Sequence, residues 1–86
     1  MYSLITQSAV AIPSNIAEGA ERKTGRDFAD FLYVAKGSSA ELRTQLYLAS
    51  ELKYISHDDS QKFILESKAI TKMLQALITA IEHPKN

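Results

Sequence analysis

The apolar positions in the second half of the chain recur with the period of a helix. Two rows of apolar or small residues step alternately by four and three residues. The first row is Phe28, Leu32, Ala35, Ser39, Leu42, Leu46 and Ala49. The second row is Phe63, Ser67, Ile70, Leu74, Leu77 and Ile81. Such heptad rows are typical of helices that pack lengthwise, so the pattern predicts two long antiparallel helices joined by a short turn.

Polar residues mark the ends of these two helices. Thr24 is followed three residues later by Asp27, and Ser56 in the same way by Asp59. A hydroxyl at that distance before a carboxylate is an acidic variant of the capping box that begins many helices. With Pro84 stopping the last helix, the predicted helices span residues 25–54 and 57–83.

A third helix is predicted at the N-terminus, although it contains a proline. Its apolar row steps by four, three, four and four: Ile5, Ala9, Ile12, Ile16 and Ala20. Because this row crosses Pro13 in phase, we expect a helix over about residues 2–22 that is kinked at Pro13. The alternative is a break at which Ser14 starts a new short helix. Either way the chain is predicted to be one domain, residues 1–86, with the all-α fold of an up-down helical bundle.

Composition excludes several classes of function. The 86 residues include ten acidic and ten basic side chains and no cysteine. No thiolate metal site or cysteine nucleophile can form, and the balanced charge does not favour nucleic acid or membranes as a whole. No signal peptide or run of about 20 apolar residues is present. We therefore expect a soluble, cytoplasmic protein without metal, cofactor or small-molecule substrate.

Polar residues beside Pro13 suggest a contact between helices. Asn15 and Glu18 share one helix face, and Glu41 follows a stretch of small residues in the second helix. The pattern predicts hydrogen bonds across a close helix crossing among Ser14, Asn15, Glu18, Glu41 and Gln45. The alternative is acid–base catalysis by paired carboxylates. Since no nucleophile, phosphate loop or metal spacing accompanies them, the protein is not predicted to be an enzyme.

A basic cluster lies in the first turn between helices. Its members are Arg22, Lys23 and Arg26, and they are candidates for contact with RNA phosphates. The alternative is a solvated loop whose charge is offset by Glu21 and Asp27. On the last helix, three lysines are offset along the sequence by nearby carboxylates. These lysines are Lys62, Lys68 and Lys72, and the carboxylates are those of Asp58, Asp59 and Glu66.

Three tyrosines recur at seven-residue spacing with Ala40 between the first two. Tyr33, Tyr47 and Tyr54 fall on a different helix face from the apolar row. Tyrosine is enriched in protein interfaces because it buries a large area and keeps a polar tip. These residues are therefore predicted to contact another subunit, with stacking on nucleobases as the alternative.

The motifs IPSNIAEG and DFADFLYVAKGSSAELRTQLYLASELKYI resemble a bacterial four-helix-bundle family. This family is named for 23S ribosomal RNA intervening-sequence proteins, and the resemblance covers about residues 4–81. A related branch comprises the accessory variability proteins of diversity-generating retroelements, which form five-fold barrels and bind RNA and a reverse transcriptase. The resemblance implies a homopentamer without enzyme activity, whose partner is RNA or a ribonucleoprotein.

The chain departs from the family pattern at its start, where the first of the usual four helices is absent. The alternatives are a naturally short product, a truncated reading frame, and a helix supplied by a neighbouring chain. The leading hypothesis is a noncatalytic oligomeric helical bundle that binds RNA or a ribonucleoprotein through a multivalent basic face. The competing hypothesis is a structural or regulatory protein–protein interaction module without nucleic-acid binding.

Overall fold

The structure confirms an all-α protein with antiparallel neighbouring helices. The computed structural model describes residues 1–84, which form helices α1 (Tyr2–Ala20), α2 (Gly25–Glu51) and α3 (His57–Glu82). The predicted starts of all three helices are confirmed. The Thr24 and Ser56 hydroxyls each accept a hydrogen bond, at 3.1 Å, from the backbone N–H three residues later. Each cap satisfies one backbone donor that a helix start would otherwise leave unpaired.

Helix α2 ends at Glu51 and not at residue 54, as was predicted. Lys53 adopts a left-handed backbone conformation with a φ of 63°. Its N–H donates to the Ser50 carbonyl at 3.0 Å, and the Tyr54 N–H donates to the Ala49 carbonyl at 2.8 Å. This pair of bonds is a Schellman motif, which satisfies the last carbonyls and turns the chain out of the helix.

Helix α1 continues through Pro13, as the apolar row predicts, and the alternative break at Ser14 does not occur. A proline inside an isolated helix costs about 3 kcal/mol because it removes a donor and crowds the preceding turn. The neighbouring Ile12 is buried against the core. Packing of this helix face against α2 therefore offsets the local cost of the proline.

The three helices form a single layer with α2 in the middle. Helix α2 packs against both α1 and α3, whereas no Cα atoms of α1 and α3 lie within 8 Å of each other in the described residues. The molecule accordingly measures 49 × 22 × 12 Å. Side chains from all three helices meet in one small core, formed by Ile12, Leu32, Ala35, Leu74 and Ile78. A single layer covers only part of the apolar surface of its helices.

Gly19 allows a close approach between α1 and α2. A Cβ atom added at this position would lie 2.8 Å from the Phe31 Cβ and 2.9 Å from the Phe28 Cδ1. The small residues before Glu41, which include Gly37, were expected at this crossing, but they lie near the middle of α2, whereas Gly19 meets Phe28 and Phe31 near its start. Gly37 is exposed and has no atom within 4 Å of such a Cβ.

The two glycines should respond in opposite directions to alanine. We expect Gly19→Ala to destabilise the protein by about 1–3 kcal/mol, because overpacking forces Phe28 or Phe31 out of position. We expect Gly37→Ala to stabilise it by about 0.5–1 kcal/mol, because alanine has the higher helix propensity and meets open space. Urea denaturation of both variants measures the difference, and a shift of both midpoints in the same direction would contradict this packing.

Candidate functional site

An open apolar groove runs along one side of α2, between α1 and α3. Its first section, of about 440 Å³, is lined mainly by Ile5, Ala9, Leu42, Leu46, Phe63 and Ile70. Its second section, of about 530 Å³, is lined by Ile12, Pro13, Ile16, Ile70, Met73, Leu74 and Leu77. Because Ile70 lines both sections, they form one continuous surface, called the front groove below. On α3 its apolar residues extend from Phe63 to Leu77, about 21 Å at 1.5 Å per residue.

Helix α3 has two apolar faces, whereas the sequence pattern predicted a single apolar row. Ile64, Leu74 and Ile78 are buried towards the layer. Phe63 and Leu77, predicted as core positions, are exposed and line the front groove. The row predicted for α3 is therefore only partly buried in the layer, and the rest of it forms one wall of the groove.

Charged residues occur on only one wall of the front groove. Asp59 and Glu66, two turns apart on α3, line its first section. Lys62 lies between them on α3, and its Nζ is 5.9 Å from the centroid of the Phe63 ring. The first 17 residues of the chain, which form the opposite wall, carry no charged side chain. The groove is thus apolar at its base and carries both signs of charge along the α3 rim.

Buried serines join α2 and α3 behind the groove. The Oγ atoms of Ser39 and Ser67 are 2.7 Å apart, and each hydroxyl also reaches the other residue's backbone carbonyl, at 3.1 and 3.0 Å. Thr71 Oγ1 donates to Ser39 Oγ at 2.9 Å. Ser60 Oγ donates to the Leu46 carbonyl at 2.9 Å. Small side chains with satisfied hydroxyls let the two backbones approach closely. This contact between α2 and α3, called the serine seam below, is therefore structural.

Two cationic side chains of α2 extend from this seam. Arg43 Nη1 donates to Thr71 Oγ1 at 2.8 Å. Lys36 Nζ donates to Gln75 Oε1 at 2.6 Å. Both cations are half-buried and bond to uncharged partners. The sequence reasoning did not single them out, since only the pairing of α2 with α3 brings hydroxyl and amide groups to them.

The polar network expected between α1 and α2 is absent from the hydrogen bonds of residues 1–84. Asn15 Nδ2 donates to the Ala11 carbonyl of its own helix at 2.7 Å. Glu18 bonds Arg22 of the same chain segment, and Ser14 and Glu41 are exposed. The Oε1 atom of Gln45 is buried without a hydrogen-bond partner. The expectation was wrong because Asn15 and Glu18 bond within their own segment, and the close approach of α1 to α2 at Gly19 is made by aromatic side chains of α2.

The basic cluster of the first turn is partly engaged within the chain. Arg22 Nη2 lies 2.8 Å from Glu18 Oε1, and its guanidinium carbon lies 4.8 Å from the centroid of the Phe31 ring. These contacts join the end of α1 to the start of α2. Lys23 and Arg26 are exposed, with no carboxylate within 4 Å in the described part of the chain. Of the three predicted phosphate ligands, two are therefore available to an external anion.

The predicted interface tyrosines are all exposed, but they do not share one helix. Tyr33 and Tyr47 lie on α2, whereas Tyr54 lies in the turn after its end. Tyr33 donates to Glu82 Oε1 at 2.8 Å, and this bond to a carboxylate raises the pKa of Tyr33. The three rings are accessible to another subunit, and their contact with one stays a prediction.

None of the helices in residues 1–84 is long and apolar enough to cross a membrane.

A search of curated proteins finds no match to the sequence. The chain is similar to a crystal structure of a protein of unknown function from the S23 ribosomal protein family of Bacteroides thetaiotaomicron VPI-5482. The two are 26% identical with a TM-score of 0.85, and the match covers 88% of this chain and 70% of the other.

The sequence also matches a family model along most of its length. The model describes the 23S rRNA-intervening sequence protein and matches residues 1–76, which include α1, α2 and most of α3. These are the helices that form the front groove and the serine seam, and they contain both motifs on which the resemblance was based. The chain therefore belongs to the 23S rRNA-intervening sequence protein family.

Proposed function

We propose that the protein is a noncatalytic, oligomeric interaction protein whose front groove is covered by another copy of the same chain. The observation that carries this proposal is the continuous apolar groove between α1 and α3. Burying exposed apolar surface against a partner favours association by about 25 cal/mol for each Å² removed from water. Large uncovered apolar patches on small proteins commonly mark contacts with other macromolecules.

The chemistry of the groove favours a helix over a small molecule. Binding sites for small molecules combine an apolar lining with a few converging polar groups that orient the ligand. In the front groove, the polar side chains are those of Asp59, Glu66 and Ser67, all on α3. An apolar trough about 21 Å long matches roughly 14 residues of a helix, with anchors at positions i, i+3, i+4 and i+7.

The charges on the rim support another copy of this chain as the occupant. Lys62 lies between Asp59 and Glu66 on α3, so the same rim presents both signs within two turns. A mixed rim complements its own copy when two subunits meet face to face. A strongly basic or strongly acidic partner would repel part of it.

The arrangement of polar residues supports a noncatalytic role. Asn15, Glu18 and Glu41, the candidates for acid–base chemistry, make no hydrogen bonds with one another in the described structure. Glu18 is paired with exposed Arg22, in contact with solvent. A carboxylate pair that works as acid and base needs two different environments, whereas Glu18 and Glu41 are both exposed and make no hydrogen bond with each other.

A charged side chain in the groove should lower the oligomeric state. Met73 is 71% exposed and lines the groove, so Met73→Glu puts a carboxylate at the proposed contact without disturbing the core. We expect native mass spectrometry or light scattering to show an assembly for the unmodified chain and mainly the 9.5 kDa monomer for the variant.

Leu65→Glu is the matched control for this experiment. Leu65 is on the same helix and is 65% exposed, but it does not line the groove. We expect Leu65→Glu to keep the native mass of the unmodified protein. A monomeric unmodified chain, or dissociation by Leu65→Glu alone, would show that the front groove is not a contact between copies.

RNA is the second candidate partner. The name of the family refers to ribosomal RNA, and exposed Lys23 and Arg26 are available to phosphate groups. The net charge of the chain is zero, so binding must come from local groups of cations. In an oligomer, several weak patches would act together and raise the apparent affinity.

A salt series tests this second candidate function. We expect a labelled structured RNA to bind the purified full-length chain at low salt, with an affinity that falls steeply as salt rises. Each phosphate contacted contributes about −0.7 to −0.9 to the logarithmic slope, because binding releases condensed counterions. Absence of binding at low ionic strength, measured by fluorescence anisotropy, would leave the protein-binding function alone.

A further inference from the structure

Four cations lie on the side of the α2–α3 pair that faces away from the front groove. They are Lys36 and Arg43 of α2 and Lys68 and Lys72 of α3, and they are called the basic face below. Successive residues of a helix are rotated by about 100° around its axis. Lys68 and Lys72 are therefore at least about 100° around the α3 axis from the groove residues Glu66 and Met73. Arg43 reaches Thr71, next to Lys72 along the chain, and Lys36 reaches Gln75, three residues beyond Lys72.

The two α2 cations are held in place by neutral groups. Lys36 Nζ donates to Gln75 Oε1, and Arg43 donates to Thr71 Oγ1. Thr71 is the immediate neighbour of Lys72, so both helices contribute charge at one level of the layer. The bonds fix both cations without neutralising them, and a guanidinium has five N–H donors, which leaves several for another acceptor.

Folding separates Lys68 and Lys72 from the carboxylates that offset them in the sequence. Asp59 and Glu66 line the front groove on the other side of the helix. Asp58 precedes Lys72 by 14 residues, which corresponds to about 21 Å along α3. No carboxylate of residues 1–84 lies within 4 Å of the cations of the basic face. A local positive charge therefore exists on a protein whose net charge is zero.

Exposed aromatic rings flank these cations on α2. One stripe steps by three, four, three and four residues: Tyr33, Lys36, Ala40, Arg43 and Tyr47. Tyr33 is 44% and Tyr47 49% exposed, and the hydroxyl of Tyr33 is held by Glu82. Planar rings at both ends of a cationic row provide stacking surfaces beside phosphate contacts.

We propose that the basic face binds a single-stranded nucleic acid, with the phosphates on Lys36, Arg43, Lys68 and Lys72 and with bases stacked on Tyr33 and Tyr47. The row of α2 cations spans about 10 Å between Lys36 and Arg43, so it follows an extended backbone over a few nucleotides. This inference rests on the second candidate function and moves its main contact from the first turn to α2 and α3.

Removal of the two exposed lysines tests the basic face. In anisotropy measurements with a labelled oligouridine and with oligodeoxythymidine of the same length, we expect Lys68→Ala/Lys72→Ala to weaken binding at least about tenfold. We also expect the logarithmic salt slope to decrease in magnitude by about 1.4, the loss of two phosphate contacts on a single strand. Lys68→Arg/Lys72→Arg should keep the affinity, because it keeps the charge. The ratio of the two affinities shows whether the face prefers RNA or DNA.

Lys23→Ala/Arg26→Ala is the matched control, since it removes the same amount of charge from the first turn. Because the basic face provides the main contacts, we expect this variant to weaken binding less than Lys68→Ala/Lys72→Ala does. If this control weakens binding as much as the α3 variant does, the basic face is not the main site, although nucleic-acid binding itself stands. If the unmodified chain binds neither oligonucleotide, the basic face is overturned, whereas the second candidate function is decided separately by the salt series with structured RNA.

Tyr47 distinguishes stacking from a subunit contact. We expect Tyr47→Phe to keep the affinity and Tyr47→Ala to weaken it, with the native mass unchanged in both variants. A native mass that falls with Tyr47→Ala would assign the ring to the subunit interface and overturn its role in stacking. Binding to vesicles that contain phosphatidylserine, without binding to oligonucleotides, would assign the cations to a membrane surface and overturn the proposal.

Discussion

The packing of α2 against both of its neighbours is the constraint on which the rest of the structure depends. Helix α2 contacts α1 along one flank and α3 along the other, and α1 and α3 stay apart. Two antiparallel pairs that share their middle helix form a layer only 12 Å thick in its smallest dimension. Such a layer has no interior large enough to bury every apolar row, so one row of each outer helix must face an open groove.

The serine seam determines which side of the α2–α3 pair carries charge. Ser39 and Ser67 are almost completely buried and bond each other reciprocally, which brings the two backbones together at this level. Leucines in their place would separate the helices, and the hydroxyl and amide groups would then lie out of reach of Arg43 and Lys36. The same contact therefore fixes the cations on one side and leaves the apolar groove with Asp59 and Glu66 on the other.

Local signals predicted much of the helical framework and little of the candidate site. Helix starts at Thr24 and Ser56, and the passage of α1 through Pro13, depend on interactions within a few residues and on a continuous apolar row. The network expected around Asn15 depended on which helix faces would meet, and that expectation was wrong. Gly19, read as part of a motif, turned out to be a position where α1 lies so close to Phe28 and Phe31 of α2 that a Cβ atom does not fit.

By itself, the sequence determined the fold class, the number of helices in the described residues and the family. Periodicity, helix caps and family motifs depend only on the order of residues along the chain. Only the tertiary structure decided that Phe63 and Leu77 line a groove, that the Arg22 guanidinium lies over the Phe31 ring, and that Lys68 and Lys72 lie away from the carboxylates near them in sequence. These features depend on the rotation of each helix about its axis. That rotation is set by close contacts such as Gly19 with Phe31 and Ser39 with Ser67, between residues far apart along the chain.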